Sequence, residues 1–241
     1  MNIIFKSVLM ALHLLLALII CVTMIILPKN INHLLIQYWA KRLLRILKIK
    51  ITLTGEVLKF LGKDSYLVVS NHISWLDIPV IFSLKPITFV SASDVKTWPI
   101  IGMLARISGA IFIDRNHKSN LPEVIQAMNF HFKNKKQSVC IFPEGITSDG
   151  YQLLPFKSNL FQSAVESNKL LLPLSIKYKE NNVLTNRTSF HGSTTLLQSF
   201  KRIAKSNQIE VVVDIGSPVK PSHSRKDLSL KLQKAIALKI N

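Results

Sequence analysis

The chain has 241 residues, enough for one catalytic domain with an appendage and too few for two large domains. Hydrophobic residues make up 48% of it, which excludes a disordered chain. The formal net charge of +18 indicates an anionic partner, which can be nucleic acid, acidic lipid headgroups or an acidic protein. The two cysteines, Cys21 and Cys140, both lie in apolar segments, so we expect no disulfide framework and a reducing compartment.

The first predicted element is an apolar helix over residues 3–27. Its 25 residues would span roughly 37 Å, more than the hydrocarbon core of a bilayer at about 30 Å. A cleaved signal peptide is the alternative, but no small-residue cleavage site follows the run. We therefore favour a retained membrane segment.

The second predicted element is a basic amphipathic helix over residues 32–50. Leu35, Trp39 and Leu43 recur at helical spacing, and Lys41 and Arg42 lie on the other side. This helix either lies on the membrane surface, with its cations near anionic lipid, or packs its apolar stripe on the domain. We favour the surface because the helix follows an apolar one directly.

The arrangement of these two helices is left open by the sequence. They form either a spanning segment plus a surface helix or a hairpin inserted into one leaflet. The cations follow the apolar run, which predicts that this side is cytoplasmic, at the inner membrane if the protein is bacterial. We expect membrane-anchoring helices over residues 1–50 and a catalytic domain over residues 51–241.

After residue 50, short apolar strands alternate with longer helical patterns. This alternation predicts an α/β fold with a mixed, largely parallel sheet flanked by helices. The predicted strands cover residues 66–70, 87–90, 110–113, 138–142, 171–178 and 209–215, and three of the helices cover residues 119–134, 193–206 and 225–240.

A polar cluster follows the first of these strands. Asn71 and His72 come directly after it, and Asp77 lies five positions beyond the histidine. If His72 is in the turn and Asp77 in the first turn of a helix, the carboxylate can reach the imidazole and fix its tautomer, as a catalytic base requires. The alternative is that both residues only cap the helix and complement its dipole.

Two more strand ends carry charged residues. Glu144 and Gly145 follow the strand that ends at Phe142, and Arg115 follows the strand at 110–113. Glu144 is either an exposed turn residue or part of a site. Arg115 is either half of a surface ion pair or a guanidinium that binds a phosphate or carboxylate.

The order and spacing of these blocks resemble those of the glycerolipid acyltransferases, in particular the 1-acylglycerol-3-phosphate (lysophosphatidate) acyltransferases. The matching segments are Asn71-His72-x4-Asp77, 112–115 (Phe-Ile-Asp-Arg), 142–145 (Phe-Pro-Glu-Gly), 154–157 (Leu-Pro-Phe-Lys) and 172–174 (Leu-Pro-Leu). The resemblance covers about residues 50–215, and with the N-terminal helices most of the chain.

The resemblance implies transfer of a fatty acyl group from a thioester, either acyl-CoA or acyl-acyl carrier protein, to the hydroxyl of a lysolipid in phospholipid biosynthesis. It implies that His72 deprotonates this hydroxyl, that Asp77 holds His72, and that Arg115 binds the acceptor phosphate. Asn71, Glu144, Gly145, Thr147 and Lys157 are the remaining substrate-binding candidates. We expect no metal and no cofactor beyond the acyl donor, since no ligand cluster has metal spacing.

One departure from the family pattern bears on the acceptor. The family commonly has Gly-Thr-Arg-Ser after the glutamate, whereas this chain has Gly145, Ile146, Thr147 and Ser148. Lys157 can replace the missing arginine only as a point charge. Lysophosphatidate remains the favoured acceptor, and another lysolipid, such as lyso-ornithine lipid, is the alternative.

A non-catalytic module that binds anionic lipid is the alternative of another class. A catalytically inactive relative would be expected to lose His72 or Asp77, and this chain has both. Nucleic acid is not an expected partner, because the basic residues are dispersed and lack interleaved aromatic residues outside the membrane helices.

Overall fold

A mixed sheet forms the centre of the protein in the computed structural model, which describes residues 3–27, 29–114 and 120–240. Its strands are β1 (Ile49–Gly55), β2 (Leu67–Ser70), β3 (Thr88–Ala92), β4 (Ile111–Ile113), β5 (Val139–Ile141), β6 (Leu171–Glu180), β7 (Val183–Leu184) and β8 (Ile209–Ile215).

The strand order is β1-β8-β6-β2-β5-β3-β4, and β7 pairs with β6 at the side of this path. Strand β2 pairs in parallel with β5 and with β6, and β3 pairs in parallel with β4 and β5. Strands β8 and β7 run antiparallel to β6. The carboxyl ends of β2, β5 and β6 therefore lie at one edge, and the predicted fold is confirmed.

Helices cover both faces of the sheet because the strand side chains alternate between two apolar cores. Val68 belongs to one core, and its neighbours Leu67 and Val69 belong to the other. The helices are α1 (Ile3–Ile26), α2 (Lys29–Ile46), α3 (Val57–Leu61), α4 (Asp77–Leu84), α5 (Ile101–Ile107), α6 (Leu121–Lys133), α7 (Gln162–Ser167), α8 (Leu196–Lys205) and α9 (Arg225–Ile240). The first core holds residues of α1, α2 and α4, and the second holds residues of α6, α7 and α9.

The apolar stripe of α2 faces protein. Trp39, Leu43 and Leu47 are buried in the first core, where α2 packs on α4 and β1, while Lys41 and Arg45 are exposed. This corrects our favoured interpretation of a helix lying on the membrane with its stripe in lipid, and it matches the alternative. The physical reason is that the stripe completes the core above the sheet, which the helical period alone cannot reveal.

Helix α1 lies along the domain over nearly its whole length. Near its start, Lys6 Nζ donates to the carbonyl oxygens of Ala204 and Ser206 at the end of α8, 2.8 Å each. Near its end, the carbonyl oxygen of Met24 accepts from Asn32 Nδ2 at 3.0 Å. The 18 residue steps from Lys6 to Met24 correspond to about 27 Å of helix.

The other face of α1 is apolar and exposed. The helix is long and apolar enough to cross a membrane by length and composition, with a mean hydropathy of 2.8 in its most apolar window. The exposed apolar residues include a series that recurs at helical spacing: Ile4, Val8, Leu12, Leu15, Ile19, Val22 and Ile26. A helix with protein on one side and a continuous apolar stripe on the other suits the surface region of a bilayer.

Candidate active site

Two loops meet at the edge where β2 and β5 end. The β2 loop (residues 71–76) leads into α4, and the β5 turn (residues 142–148) follows β5. Because β2 and β5 are parallel neighbours, His72 and Glu144 lie close together, and the backbone N–H of His72 donates to Glu144 Oε1 at 2.6 Å. The backbone N–H of Ser148 also donates to the carbonyl oxygen of His72 at 2.8 Å.

His72 and Asp77 form the pair that their spacing predicts. Asp77 is the first residue of α4 and is fully buried, and its Oδ2 lies 2.8 Å from His72 Nδ1. The same oxygen accepts from the backbone N–H groups of Ile73 at 2.8 Å and Ser74 at 2.9 Å. With Nδ1–H donating to this carboxylate, Nε2 is the basic atom of the ring.

Tyr178 completes the surroundings of Asp77. Its hydroxyl donates to Asp77 Oδ1 at 2.7 Å from the far half of β6. Burial and the negative charge of Asp77 raise the pKa of Tyr178 well above its usual value, so the hydroxyl stays protonated as a donor. Both oxygens of Asp77 thus accept hydrogen bonds.

The imidazole of His72 is held on its face as well as at its edge. It stacks on Phe142, with ring centroids 4.0 Å apart and planes at 14°. Its side chain keeps 14% of its surface exposed, although Asp77 is inaccessible. The ring is therefore fixed in orientation while remaining reachable by a substrate.

Glu144 joins the two loops through buried hydrogen bonds. It is 3% exposed, and its Oε2 accepts from the backbone N–H of Leu154 at 2.9 Å, in addition to the His72 bond at Oε1. Burial raises the pKa of Glu144 to about 7, the two backbone hydrogen bonds oppose this shift, and the charge of Asp77 adds to it. Both oxygens of Glu144 contact backbone, and its predicted role in acceptor binding stays a prediction.

Gly145, Lys157 and Thr147 shape the outer side of the β5 turn. Gly145 has a φ of 78°, and a Cβ there would lie 2.8 Å from Lys157 Nζ, so the lysine side chain passes directly over the turn. The backbone N–H of Lys157 donates to Pro143 O at 2.9 Å, which fixes its position. Thr147 donates its hydroxyl hydrogen bond to the carbonyl oxygen of Phe190.

Asn71 joins the end of β2 to β6. Its Oδ1 accepts from the backbone N–H of Ile176 at 2.7 Å, and its Nδ2 donates to the Ile176 carbonyl at 3.0 Å. Asn71 is 2% exposed, so the structure gives this amide a positioning role, and its predicted contact with the substrate stays a prediction. Arg115 lies outside the described residues, and its predicted role in phosphate binding stays a prediction.

Sequence analysis missed three neighbours of the site. Tyr178 lies 101 residues from Asp77 along the chain, and only the pairing of β6 with β2 brings it near. Phe190 donates its backbone N–H to Ile73 O at 2.9 Å, so the loop before α8 packs on the β2 loop. The indole N–H of Trp75 donates to Ser199 Oγ of α8 at 3.1 Å. The sequence offered one signal for Tyr178, which lies in the same predicted strand as the Leu-Pro-Leu block.

Comparisons with known proteins agree with this geometry. A family model described as Acyltransferase matches residues 48–177, more than half of the chain. The chain belongs to the acyltransferase family. The match includes both loops of the site, and the protein is therefore an enzyme of the acyltransferase class.

Its relatives carry two kinds of name. The lyso-ornithine lipid O-acyltransferase of Pseudomonas aeruginosa is 32% identical over 207 residues, which cover 85% of this chain and 77% of that protein. The 1-acyl-sn-glycerol-3-phosphate acyltransferase of Neisseria gonorrhoeae is 30% identical over 168 residues, 70% of this chain and 66% of that protein.

A solved structure supports the fold. The crystal structure of the 1-acyl-sn-glycerophosphate (LPA) acyltransferase PlsC from Thermotoga maritima superimposes with a TM-score of 0.74, covering 99% of this chain and 92% of that one. The two sequences are 18% identical, so this likeness concerns the fold.

Proposed function

We propose that the protein transfers a fatty acyl group from an acyl thioester to the hydroxyl of a lysolipid, with His72 as the general base. The observation that carries this proposal is the contact of 2.8 Å between His72 Nδ1 and the buried carboxylate of Asp77. An alcohol at neutral pH is too weak a nucleophile for a thioester without such a base.

In the proposed reaction, His72 Nε2 accepts the proton of the acceptor hydroxyl as its oxygen attacks the thioester carbonyl. Asp77 stabilises the imidazolium that forms. The intermediate then collapses, the C–S bond breaks, and the thiolate leaves with the proton that His72 returns. The products are an ester of the lysolipid and a free thiol.

Direct attack is favoured over an acyl-enzyme because the nearby candidate nucleophiles are sequestered. Cys140 is fully buried in β5, and burial raises the pKa of its thiol well above the usual value. Ser74 is also fully buried, and its Oγ accepts from the backbone N–H of Leu76 at 3.2 Å.

The favoured acceptor is 1-acylglycerol-3-phosphate, which gives phosphatidate. Relatives named for this acceptor support it, and so does Lys157, exposed above the turn at Gly145. Lyso-ornithine lipid is the second candidate, because relatives with that name match and Thr147 stands where the family commonly has arginine. The donor is acyl-CoA or acyl-acyl carrier protein.

We further propose that α1 anchors the protein in a membrane through its exposed apolar stripe, with the catalytic domain on the cytoplasmic face. The burial of Lys6 against α8 supports a helix held in one leaflet along the domain, since a spanning helix would carry its first half away from the protein. Helix α2 then orients α1 by packing beneath it.

One assay tests the proposed function. Purified full-length protein in detergent is given acyl-CoA and acyl-acyl carrier protein, each with lysophosphatidate and with lyso-ornithine lipid. We expect a free thiol and an acylated product in equal amounts, with lysophosphatidate preferred. Preference for lyso-ornithine lipid would contradict the favoured acceptor, and thiol release without any acylated acceptor would contradict the reaction.

A further inference from the structure

A basic cavity lies at the opposite edge of the sheet from His72. It has a volume of about 500 Å³, which is in the range of about 300–1,000 Å³ typical of small-molecule sites. It opens where β2, β3 and β5 begin, and the residues before these strands, Lys63, Lys85 and Ser138, line it. The four residues of β2 alone place roughly 13 Å between this cavity and the active site.

The lining of this cavity is strongly cationic. Lys63, Lys85, Lys135 and Lys136 all line it, and Asp64 is the one carboxylate among the described residues that do so. Lys85 Nζ donates to the carbonyl oxygens of Gly62 at 2.7 Å and Asp64 at 3.0 Å. The lining therefore carries a net positive charge around a concave surface, and such a surface suits a phosphate group.

One of the residues that line the cavity, Asn32, also has a buried acceptor atom without a partner among the described residues. Asn32, at the start of α2, is 8% exposed and uses its Nδ2 to donate to Met24 O. Its Oδ1 atom is buried and has no hydrogen-bond partner within residues 3–27, 29–114 and 120–240. Such an atom normally finds a donor, which a ligand in the cavity can provide.

The cavity lies where the proposed membrane anchor ends. Met24 of α1 and Asn32 of α2 line it, and the adjacent side chains of Ile25, Ile26 and Leu34 are 76%, 83% and 63% exposed. A ligand that fits must therefore have a phosphate, a hydrogen-bond donor and apolar chains. An ammonium donor is disfavoured because four lysines surround the site, so the donor is a hydroxyl.

We propose that the cavity at the corner between α1 and α2 binds the headgroup of an anionic glycerophospholipid that carries hydroxyls, such as phosphatidylglycerol, as a site separate from the active site. The lysines contact the phosphate, a headgroup hydroxyl donates to Asn32 Oδ1, and the acyl chains lie along the exposed end of α1. This proposal rests on the anchoring of α1 in a membrane, which is part of the proposed function.

Vesicle binding by the full-length protein tests the site. The variant Lys63→Gln/Lys136→Gln removes two cations that are exposed, so the core is unchanged. The matched control Lys231→Gln/Lys234→Gln removes two exposed cations from α9, which packs on the opposite face of the sheet. The probes are phosphatidylcholine vesicles, alone or with phosphatidylglycerol or phosphatidic acid added at equal surface charge.

We expect the cavity variant to bind phosphatidylglycerol vesicles on the order of 10- to 30-fold more weakly than the control, since each cation near an anionic surface contributes about fivefold. Binding to pure phosphatidylcholine should be equal in both. Asn32→Ala should remove the preference of the wild-type protein for phosphatidylglycerol over phosphatidic acid. Equal binding by cavity variant and control to phosphatidylglycerol vesicles would overturn the site.

Three further outcomes separate the alternatives. Inorganic phosphate and glycerol 3-phosphate are compared as competitors of vesicle binding at matched ionic strength. If inorganic phosphate displaces the protein from the vesicles as effectively as glycerol 3-phosphate does, the cavity binds any phosphate and the lipid assignment is wrong. If the cavity variant keeps its lipid binding but loses activity only with acyl-acyl carrier protein, the surface docks an acidic protein and the assignment is again wrong. Failure of the wild-type protein to bind phosphatidylcholine would instead contradict the anchoring role of α1.

Discussion

The two loops of the active site differ in how they use their polar groups. In the β2 loop, His72 Nδ1 and the backbone N–H groups of Ile73 and Ser74 all converge on Asp77, inside the protein. In the β5 turn, Glu144 is also buried, but Lys157 passes over Gly145 with its side chain exposed. One loop is a closed network around one histidine, and the other presents charge outwards.

This difference indicates separate roles for the two loops in catalysis and in acceptor recognition. A general base needs a fixed tautomer and orientation, which a fully satisfied buried network provides. Recognition of an acceptor headgroup needs exposed charge that can be exchanged without loss of the fold, and the β5 turn already carries Thr147 where the family commonly has arginine. Changes in the β2 loop should therefore reduce turnover, and changes around the β5 turn should alter the choice of acceptor.

The largest effect is expected for His72→Ala. Loss of a general base typically reduces turnover by about 10²–10⁴-fold, and kcat measured with saturating acceptor checks this. His223→Ala is the control, because His223 is exposed and far along the chain from both loops. Wild-type kcat in folded His72→Ala protein would mean that the β2 loop is not the catalytic one.

The next effect concerns the acceptor. Arg115→Ala should raise KM for lysophosphatidate about 10- to 150-fold, since a charged hydrogen bond contributes about 1.5–3 kcal/mol. Thr147→Arg should partly restore binding in the Arg115→Ala background and increase the preference for acceptors with a phosphate monoester. The KM values of the wild-type protein, the two single variants and the double variant, with and without a phosphate on the acceptor, decide this. An equal penalty for both acceptors would show that Arg115 does not bind the phosphate.

The sequence predicted the parts of the site that depend on neighbouring residues. His72 and Asp77 are joined by a short loop between a strand and a helix, so their spacing allowed the contact, and the resemblance to the acyltransferases favoured it over helix capping. The contact between Tyr178 and Asp77 was not predictable in this way, because it requires the register of β6 beside β2. The strand β1 was also missed, because its first two residues fell within the helix predicted over residues 32–50 and the strand is only partly buried at the edge of the sheet.

The N-terminal helices show the same limit. Helical spacing correctly predicted an apolar stripe on α2, including Trp39 and Leu43. It could not tell lipid from protein as the partner of that stripe, because both are apolar. The burial of Lys6 was equally unforeseen, since its two carbonyl acceptors lie about 200 residues later in the chain.

A smaller effect on turnover is expected for Tyr178→Phe. The change leaves Asp77 Oδ1 buried without its donor, which costs about 1–3 kcal/mol, and we expect kcat to fall about tenfold with KM unchanged. The matched control is Tyr66→Phe, because Tyr66 is also buried and its hydroxyl donates to Asp64 Oδ2 at 3.2 Å, away from the site. Equal losses of kcat in both variants would indicate a general effect of removing a buried hydroxyl.

The smallest effect on turnover is expected for Glu144, and this residue should also make stability depend on pH. Its pKa rises from an ordinary 4.5 to about 7 in the folded protein, so between these values the folded state holds a proton that the unfolded state has released. The contribution of Glu144 to stability is therefore fully present below about pH 4.5 and is lost as the pH rises through 7. A shift of this size corresponds to about 3 kcal/mol across that range.

Glu144→Gln removes this titration while keeping a similar shape. We expect the free energy of unfolding of the variant, measured with urea in detergent, to depend less on pH between about 4.5 and 7 than that of the wild-type protein. Its amide still accepts from one backbone N–H but opposes the other, so the β5 turn should loosen and kcat should fall only a few-fold. Glu123→Gln, an exposed position on α6, should keep the wild-type pH dependence. If Glu144→Gln keeps it too, the buried carboxylate is not the group that links the β5 turn to pH.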